Sequence, residues 1–444
     1  MTASQGEPSA FYRLCGIGVA LAALTLVTPL VFRIWGDIAY IALTIPAGVI
    51  ALAATRIAER APSARSLWLI VGVAIALRIA LLLLDPLLSS DIYRYIWDGR
   101  VQAAGINPYR YIPADPALAL LRDAAIYPNI NRADYAVTIY PPVAQMFFFL
   151  VTRVGETATV MRLGLLACEV VTVVMIALLL RQLGQPLVRL VAYLWHPLPM
   201  WEIANSGHVD ALMIALMMLG LWLALTMRPM RGVMAITLGA MAKPFAIVAL
   251  PALWWPWDWR MPVMVLAAAA VCYAPYLTVG SDVLGFLAKG YLNEEGLIGG
   301  GDNWLLSIWR RLFGDHRYDS AVYFGISILA IGALALKAAF RRQRSTETML
   351  ADINKLLLAF LLLLSPNHPW YFLVIMPFVA LRNSMTGWAA SIGALLLQDE
   401  IEWDAYIAIF TRKTMLYAGV AVAFTWSIWQ ARKIERPNSV SDAR

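Results

Sequence analysis

The sequence predicts an all-α, polytopic membrane bundle, and three observations carry that expectation. Of the 444 residues, 61% are hydrophobic and 14% charged, whereas a soluble domain holds roughly 25% charged residues. The mean hydropathy is +0.68. Apolar runs of about 17–20 residues, the length a bilayer-crossing helix needs, recur from one end to the other. In lipid each segment must satisfy its own backbone N–H and C=O groups, so these runs read as helices. About 11–13 spans fit the pattern. The 24 prolines and 28 glycines predict that several of them are short or broken.

Taken in order, the first element is the apolar run from Cys15 to Phe32, preceded by Arg13. It is longer than the core of a cleaved leader and reads as a spanning helix. With the next span it forms an N-terminal transmembrane hairpin, residues 1–66. A membrane core follows over 67–380, interrupted by a large loop at 85–140. Residues 381–444 supply the last helices and a tail. The net charge of +7 comes from arginines and lysines gathered at one set of span ends. Examples are Arg56, Arg60 and Arg65, then Lys337, Arg341 and Arg342, then Arg432, Lys433 and Arg436. Such clusters orient a membrane protein with those ends in the cytoplasm, and they are not a nucleic-acid footprint.

With that orientation, every polar motif of interest falls on the opposite, external face. These are the 85–140 loop, Asn205–Asp210, Ala242–Phe245, the 280–320 loop with its Gly299–Trp304 turn, Ser365–Trp370, and Gln398-Asp399-Glu400. The expected location is the cell inner (plasma) membrane, with the working face toward the periplasm or exterior. Val143–Val154 is too short to cross comfortably and is expected to be re-entrant or tilted. Cys15, Cys168 and Cys272 lie in apolar stretches at no metal-like spacing, so they read as packing residues. No repeat at a fixed period is visible, which gives a two-halved transporter no support.

The 85–140 loop is the most informative stretch. Pro86 ends one helix, and Ser89 or Ser90 can cap a new one that starts near Asp91. On it Asp91, Arg94, Tyr95 and Asp98 share a face. Asp91 sits in the first turn, where the helix dipole favours a carboxylate. Such a group suits a general base for an acceptor hydroxyl. Equally, Asp91 and Asp98 can serve as plain ion-pair partners of Arg94 and Arg100. Lys243 precedes Pro244 between two apolar runs, each too short to span. A lysine at such a break lines a cavity or snorkels to the surface. Next to phosphate it would supply a charged hydrogen bond. His368, in a turn bounded by Pro366 and Pro369, can donate to phosphate, shuttle protons or simply shape the turn. His208 and Asp210 can be a substrate-binding pair, a cap or two metal ligands, and two candidates make a weak metal site. No metal and no cofactor is expected.

Four sequence stretches resemble a known family. DIYRYIWDGRVQAAGINPYRY follows a span, then come IYPPVAQ, and later GHVDAL and AKPF. Together they resemble membrane glycosyltransferases of the C-type (GT-C) superfold, in particular the polyprenol-phosphate-mannose-dependent mannosyltransferases. The resemblance covers roughly residues 67–380, and the extra pair of spans before it is a departure from the simplest family pattern. It implies a polyprenyl-monophosphate sugar donor, a lipid or glycan acceptor and an inverting mechanism with Asp91 as base. It further implies donor-phosphate contacts at Lys243, His368 and Arg94. Asp98, Arg100, Asn107, Tyr109, Tyr140, His208, Asp210, Asn303 and Trp304 are then expected around the substrates. The resemblance favours mannose as the sugar. Two other readings stay open: a transporter or flippase of a lipid-linked sugar, and a polymerase or ligase using a diphosphate donor.

Overall fold

The computed structural model describes residues 6–226, 228–255, 258–285, 290, 294, 300, 303–342, 344–398 and 405–434. The described residues contain helices, turns and irregular segments, and no strand. Among the described residues six helices are long and apolar enough to cross a membrane, or seven if one sharply bent pair counts as a span. That is fewer than the about 11–13 that hydropathy runs suggest. The difference has a physical cause: prolines and polar residues cut several apolar runs into shorter helices.

The chain begins with a hairpin of α1 (Gly6–Trp35) and α2 (Asp37–Arg60), followed by α3 (Ala64–Leu82). The loop helix α4 (Asp91–Ala103) comes next, then the short α5 (Pro142–Thr152) and the long α6 (Ala158–Gln182). Helices α7 (Pro197–Asn205) and α8 (Asp210–Thr226) meet at a bend of 119°. Helix α9 (Pro229–Ala240) and α10 (Pro244–Leu253) are separated by the break at Lys243. After α11 (Arg260–Leu284) and α12 (Trp304–Phe313) come the span α13 (Asp319–Ala339) and the helix α14 (Thr346–Leu364). The chain closes with α15 (Pro369–Arg382), α16 (Met385–Leu397) and α17 (Ala405–Ile434).

Large apolar side chains such as Leu266 on α11 and Leu329 on α13 are at least 70% exposed. In water such a belt would be a liability, and in hydrocarbon it is the expected outer surface. Small residues let the inner helices close up. Gly220 of α8 and Gly232 of α9 oppose each other so tightly that a Cβ on Gly232 would fall 2.5 Å from the Gly220 carbonyl oxygen. Close backbone approach of this kind is how helices gain packing energy where the hydrophobic effect between them is weak.

The 85–140 loop is pinned rather than loose. Arg100 bonds Asp123 at 2.6 Å and Glu156 at 2.7 Å. The Tyr109 hydroxyl donates to the Tyr140 carbonyl at 2.7 Å, and Asn107 donates to the Tyr276 carbonyl at 2.8 Å. At the loop's exit the Val143 N–H donates to the Met241 carbonyl at 3.0 Å, which ties α5 to the Lys243 break. Ser90 is the N-cap position of α4, but it is the Ser89 hydroxyl that accepts from the Asp91 N–H.

Candidate active site

Three interruptions of helical structure meet beside the N-terminus of α4. The first is the bend between α7 and α8, carrying Ser206 to Val209. Gly207 turns there with φ +74, and a Cβ at that position would lie 2.7 Å from Ile92. Glycine thus supplies both a left-handed turn and room for α4 to lie against it. The turn presents His208, which is buried, with Nδ1 3.8 Å from Asp91 Oδ2 and Nε2 3.2 Å from Glu202 Oε2. On the other side of Asp91, the Asn131 amide donates to Oδ1 at 2.6 Å.

The second interruption is the break between α9 and α10. Lys243 there places Nζ 2.7 Å from Asp210 Oδ2 and 4.6 Å from the centre of the Tyr371 ring. Asp210 is the first residue of α8, so the carboxylate that holds Lys243 also stands at a helix N-terminus, where a negative charge is favoured. The third is the turn after α14, where Ser365 is left-handed (φ 54). Trp370 stacks on His208 at 4.3 Å and on His368 at 4.2 Å between ring centres. One indole therefore couples the first interruption to the third.

Two of these groups are partly exposed: the Asp91 side chain is 20% exposed and that of Lys243 16%. The groups behind them are sealed. Neither Glu202 oxygen makes an aligned hydrogen bond among the described residues, and Asp210 Oδ1 is likewise without one. Buried carboxylate atoms left this way are costly, and they concentrate where a site must act on a ligand. The protein packed around His368 pushes its imidazole down to about 3. Without a bound anion the ring is neutral at physiological pH, so it can donate one N–H but brings no charge. Among the described residues no group of three or more His, Cys, Asp or Glu side chains could hold a metal ion.

The structure brings Asp91, His208, Asp210, Lys243 and His368 into one contiguous set of contacts. It places the remaining expected residues elsewhere. Arg94 is buried against Asp98 at 2.9 Å and donates to the Ala136 carbonyl. Asp98 also accepts from Thr138 and from Gln145 at 2.9 Å, so this pair locks the loop. Tyr140 packs edge-on against Tyr95, 4.9 Å between centres. Asn107 lines a separate cavity of about 680 Å³ together with Arg110, Tyr111 and Tyr276, while Arg100 and Tyr109 are spent on the loop contacts above. Asn303 caps α12 and donates to the Leu363 carbonyl at 2.9 Å. Trp304 stacks on Tyr417 at 4.3 Å and donates to Thr414. Gly299, Gly301, Asp302, Asp399 and Glu400 lie outside the described residues.

Sequence reasoning missed Glu202, Trp370 as the bridging ring, and Lys413. Both charged residues carried a usable signal. Glu202 stands in the apolar stretch PLPMWEIAN and Lys413 close to MLYAGVAVAF, and an ionisable residue in such surroundings is a functional or structural anchor by default. Lys413, 1% exposed, donates to the Ser365 carbonyl and to Asn367 Oδ1, both at 2.6 Å, and so braces the turn that carries His368.

Comparison with known proteins identifies the family. The family model described as "Alpha-(1->6)-mannopyranosyltransferase, N-terminal domain" matches residues 15–259, which include α4, the bend at His208 and the Lys243 break. Alpha-(1->6)-mannopyranosyltransferase A of Mycobacterium tuberculosis is 26% identical over 320 residues, 66% of this chain and 61% of that protein. Its counterpart of the same name from Corynebacterium glutamicum is 26% identical over 214 residues, 45% of this chain and 41% of that protein. The matched region thus spans less than two thirds of either relative's length. No solved structure matches. With more than half of its residues covered by the family model, the chain belongs to the alpha-(1->6)-mannopyranosyltransferase family.

Proposed function

We propose that this chain is a membrane mannosyltransferase that moves mannose from a polyprenyl-monophosphate donor to a lipid or glycan acceptor, with inversion at the anomeric carbon. The observation that carries the reading is that Asp91 and Lys243 are both partly exposed and each is held by a buried group, His208 and Asp210 respectively. Asn131 occupies one oxygen of Asp91 and leaves the other facing His208 at 3.8 Å. That oxygen takes the proton of the acceptor hydroxyl as the hydroxyl oxygen bonds to the anomeric carbon. On the opposite face of the sugar the bond to the donor phosphate breaks, and both its electrons leave with the phosphate. Lys243 meets the charge that grows there, a fixed cation aimed at the developing anion. His368 adds a neutral N–H donor.

Inversion of a β-linked donor gives an α-linked product, the configuration in the names of both relatives. The active face is external, in keeping with cationic clusters at the opposite span ends. The donor tail lies in lipid, and its anchorage there orients the reacting carbon.

The test is transfer of radiolabel from a polyprenyl-phosphate mannose to a membrane acceptor by purified protein in detergent. Transfer is expected, and it is expected to persist in excess chelator, because side-chain cations neutralise a monophosphate. Transport of the donor without transfer would replace the reading with a flippase. Activity restored only by added manganese or magnesium would overturn the metal-free mechanism and bring His208 and Asp210 forward as ligands.

A further inference from the structure

A second, chemically different cavity lies between α14 and α17. Its volume is about 640 Å³. Leu358 and Leu362 of α14 and Tyr417 and Phe424 of α17 form much of its wall, and Phe424 is 55% exposed on the outer, lipid-facing surface. Two cations, Lys355 and Arg382, complete the lining, and among the described residues no carboxylate does. Lys355 has no hydrogen-bond or ion-pair partner among the described residues, while Arg382 spends one nitrogen on the Glu347 carbonyl at 3.2 Å.

The position of those cations separates this cavity from the candidate active site. Arg382 touches the first turn of α14, whereas the His368 turn follows the last. At 1.5 Å per residue, Glu347 and Ser365 are about 27 Å apart along that helix, and Lys355 lies about 12 Å from Glu347. An ammonium so far from the helix end, on an apolar wall, is expensive unless it snorkels to an anion. The wall asks for a hydrocarbon chain and the cationic end asks for a phosphate.

We infer that this groove binds an anionic glycerophospholipid of the surrounding bilayer, acyl chain along α14 and α17, phosphate between Lys355 and Arg382. A donor lipid seated this way would hold its phosphate about 15 Å or more from the Ser365 turn along α14, too far to react at Asp91, so the occupant is a resident membrane lipid. Polar side chains next to those cations in the chain, Asn354 and Ser384, also line the cavity. The inference does not depend on the proposed reaction.

The test uses the full-length protein, purified in mild detergent, and reads retained lipid by native mass spectrometry. Wild-type protein should hold phosphatidylglycerol in preference to phosphatidylcholine. Lys355→Met with Arg382→Gln should reduce that retention about tenfold or more and leave circular dichroism unchanged. Should that pair not accumulate, Ala421→Leu, which narrows the groove and leaves both charges, should also expel the lipid. Equal retention of the two phospholipids, retention unchanged in the variants, or a polyprenyl phosphate found in place of phosphatidylglycerol would each overturn the assignment. Each outcome is independent of whether mannosyl transfer is detected.

Discussion

Two buried charged clusters in this molecule are built on opposite plans. In the first, Arg78 of α3 meets Glu169 of α6 through two parallel hydrogen bonds, each 2.7 Å, and sends a third nitrogen to the Leu194 carbonyl at 3.0 Å. Every strong donor and acceptor is spoken for. In the second, His208 lies 3.8 Å from Asp91 and 3.2 Å from Glu202, and Lys243 lies 2.7 Å from Asp210, with carboxylate oxygens left over. A closed ion pair fastens two helices and has nothing left to give a ligand. An open one is poorly satisfied alone and can be completed by a substrate. Arg94 and Asp98 follow the first plan although they share α4 with Asp91, which separates loop scaffolding from candidate chemistry within two turns of one helix.

The contrast breaks most sharply at Arg78. Arg78→Leu strands the Glu169 carboxylate in a buried site, a loss of about 3–5 kcal/mol. The expected result is little folded protein by size exclusion, with much of it recovered when Glu169→Leu is added. Recovery failing in the double variant would mean the pair does more than fasten helices.

Lys243→Ala should act on chemistry instead. Removing one charge-assisted hydrogen bond costs about 1.5–3 kcal/mol, so transfer should slow roughly 10- to 100-fold with weaker donor binding. Because Asp210 loses its partner too, Lys243→Ala combined with Asp210→Asn is the control for folding. A normal rate in either variant would remove Lys243 from the phosphate.

Lys413→Met should have a smaller effect. It frees the 365–368 turn without touching the proposed substrates, so turnover should fall several-fold while helix content stays unchanged. An unaltered rate would show that the turn needs no brace.

A fourth prediction, silent at neutral pH, concerns His368 and acidity. Its imidazole is held at about 3 when folded, against about 6.5 unfolded. The unfolded chain therefore binds the proton first as pH falls. Stability from the neutral ring is fully present above about 6.5 and is lost between there and about 3. Thermal melts of His368→Gln should be less sensitive to acid over that window than wild type. Parallel curves would mean that the ring titrates normally in the folded protein.

Much of the membrane architecture was legible because hydropathy and proline placement are local properties. The break at Lys243, the helix starting at Asp91 and the short Pro142–Thr152 segment all follow from residues within a few positions. Partner choice was not legible. Nothing in the spacing of Asp91, Arg94 and Asp98 says which carboxylate closes on the arginine, since that depends on Thr138, Gln145 and Ala136 arriving from the far end of the loop. Asn303 and Trp304 looked like sugar contacts on residue type alone, yet their polar atoms are taken up by Leu363 and Thr414. The role of Trp370 was hidden for the same reason: a bridging ring is defined by two neighbours that the chain supplies 160 residues apart (His208 and His368).

The central claim is that the open cluster works through Asp91. Its most direct test is the transfer rate of Asp91→Asn, measured on folded, purified protein with polyprenyl-phosphate mannose and compared with donor binding by the same sample. The amide preserves shape and removes the base, so the rate should fall about two to four orders of magnitude while donor binding and thermal stability hold. Near-normal transfer by that variant would contradict the claim and move the search for a base to Glu202 or Asp98.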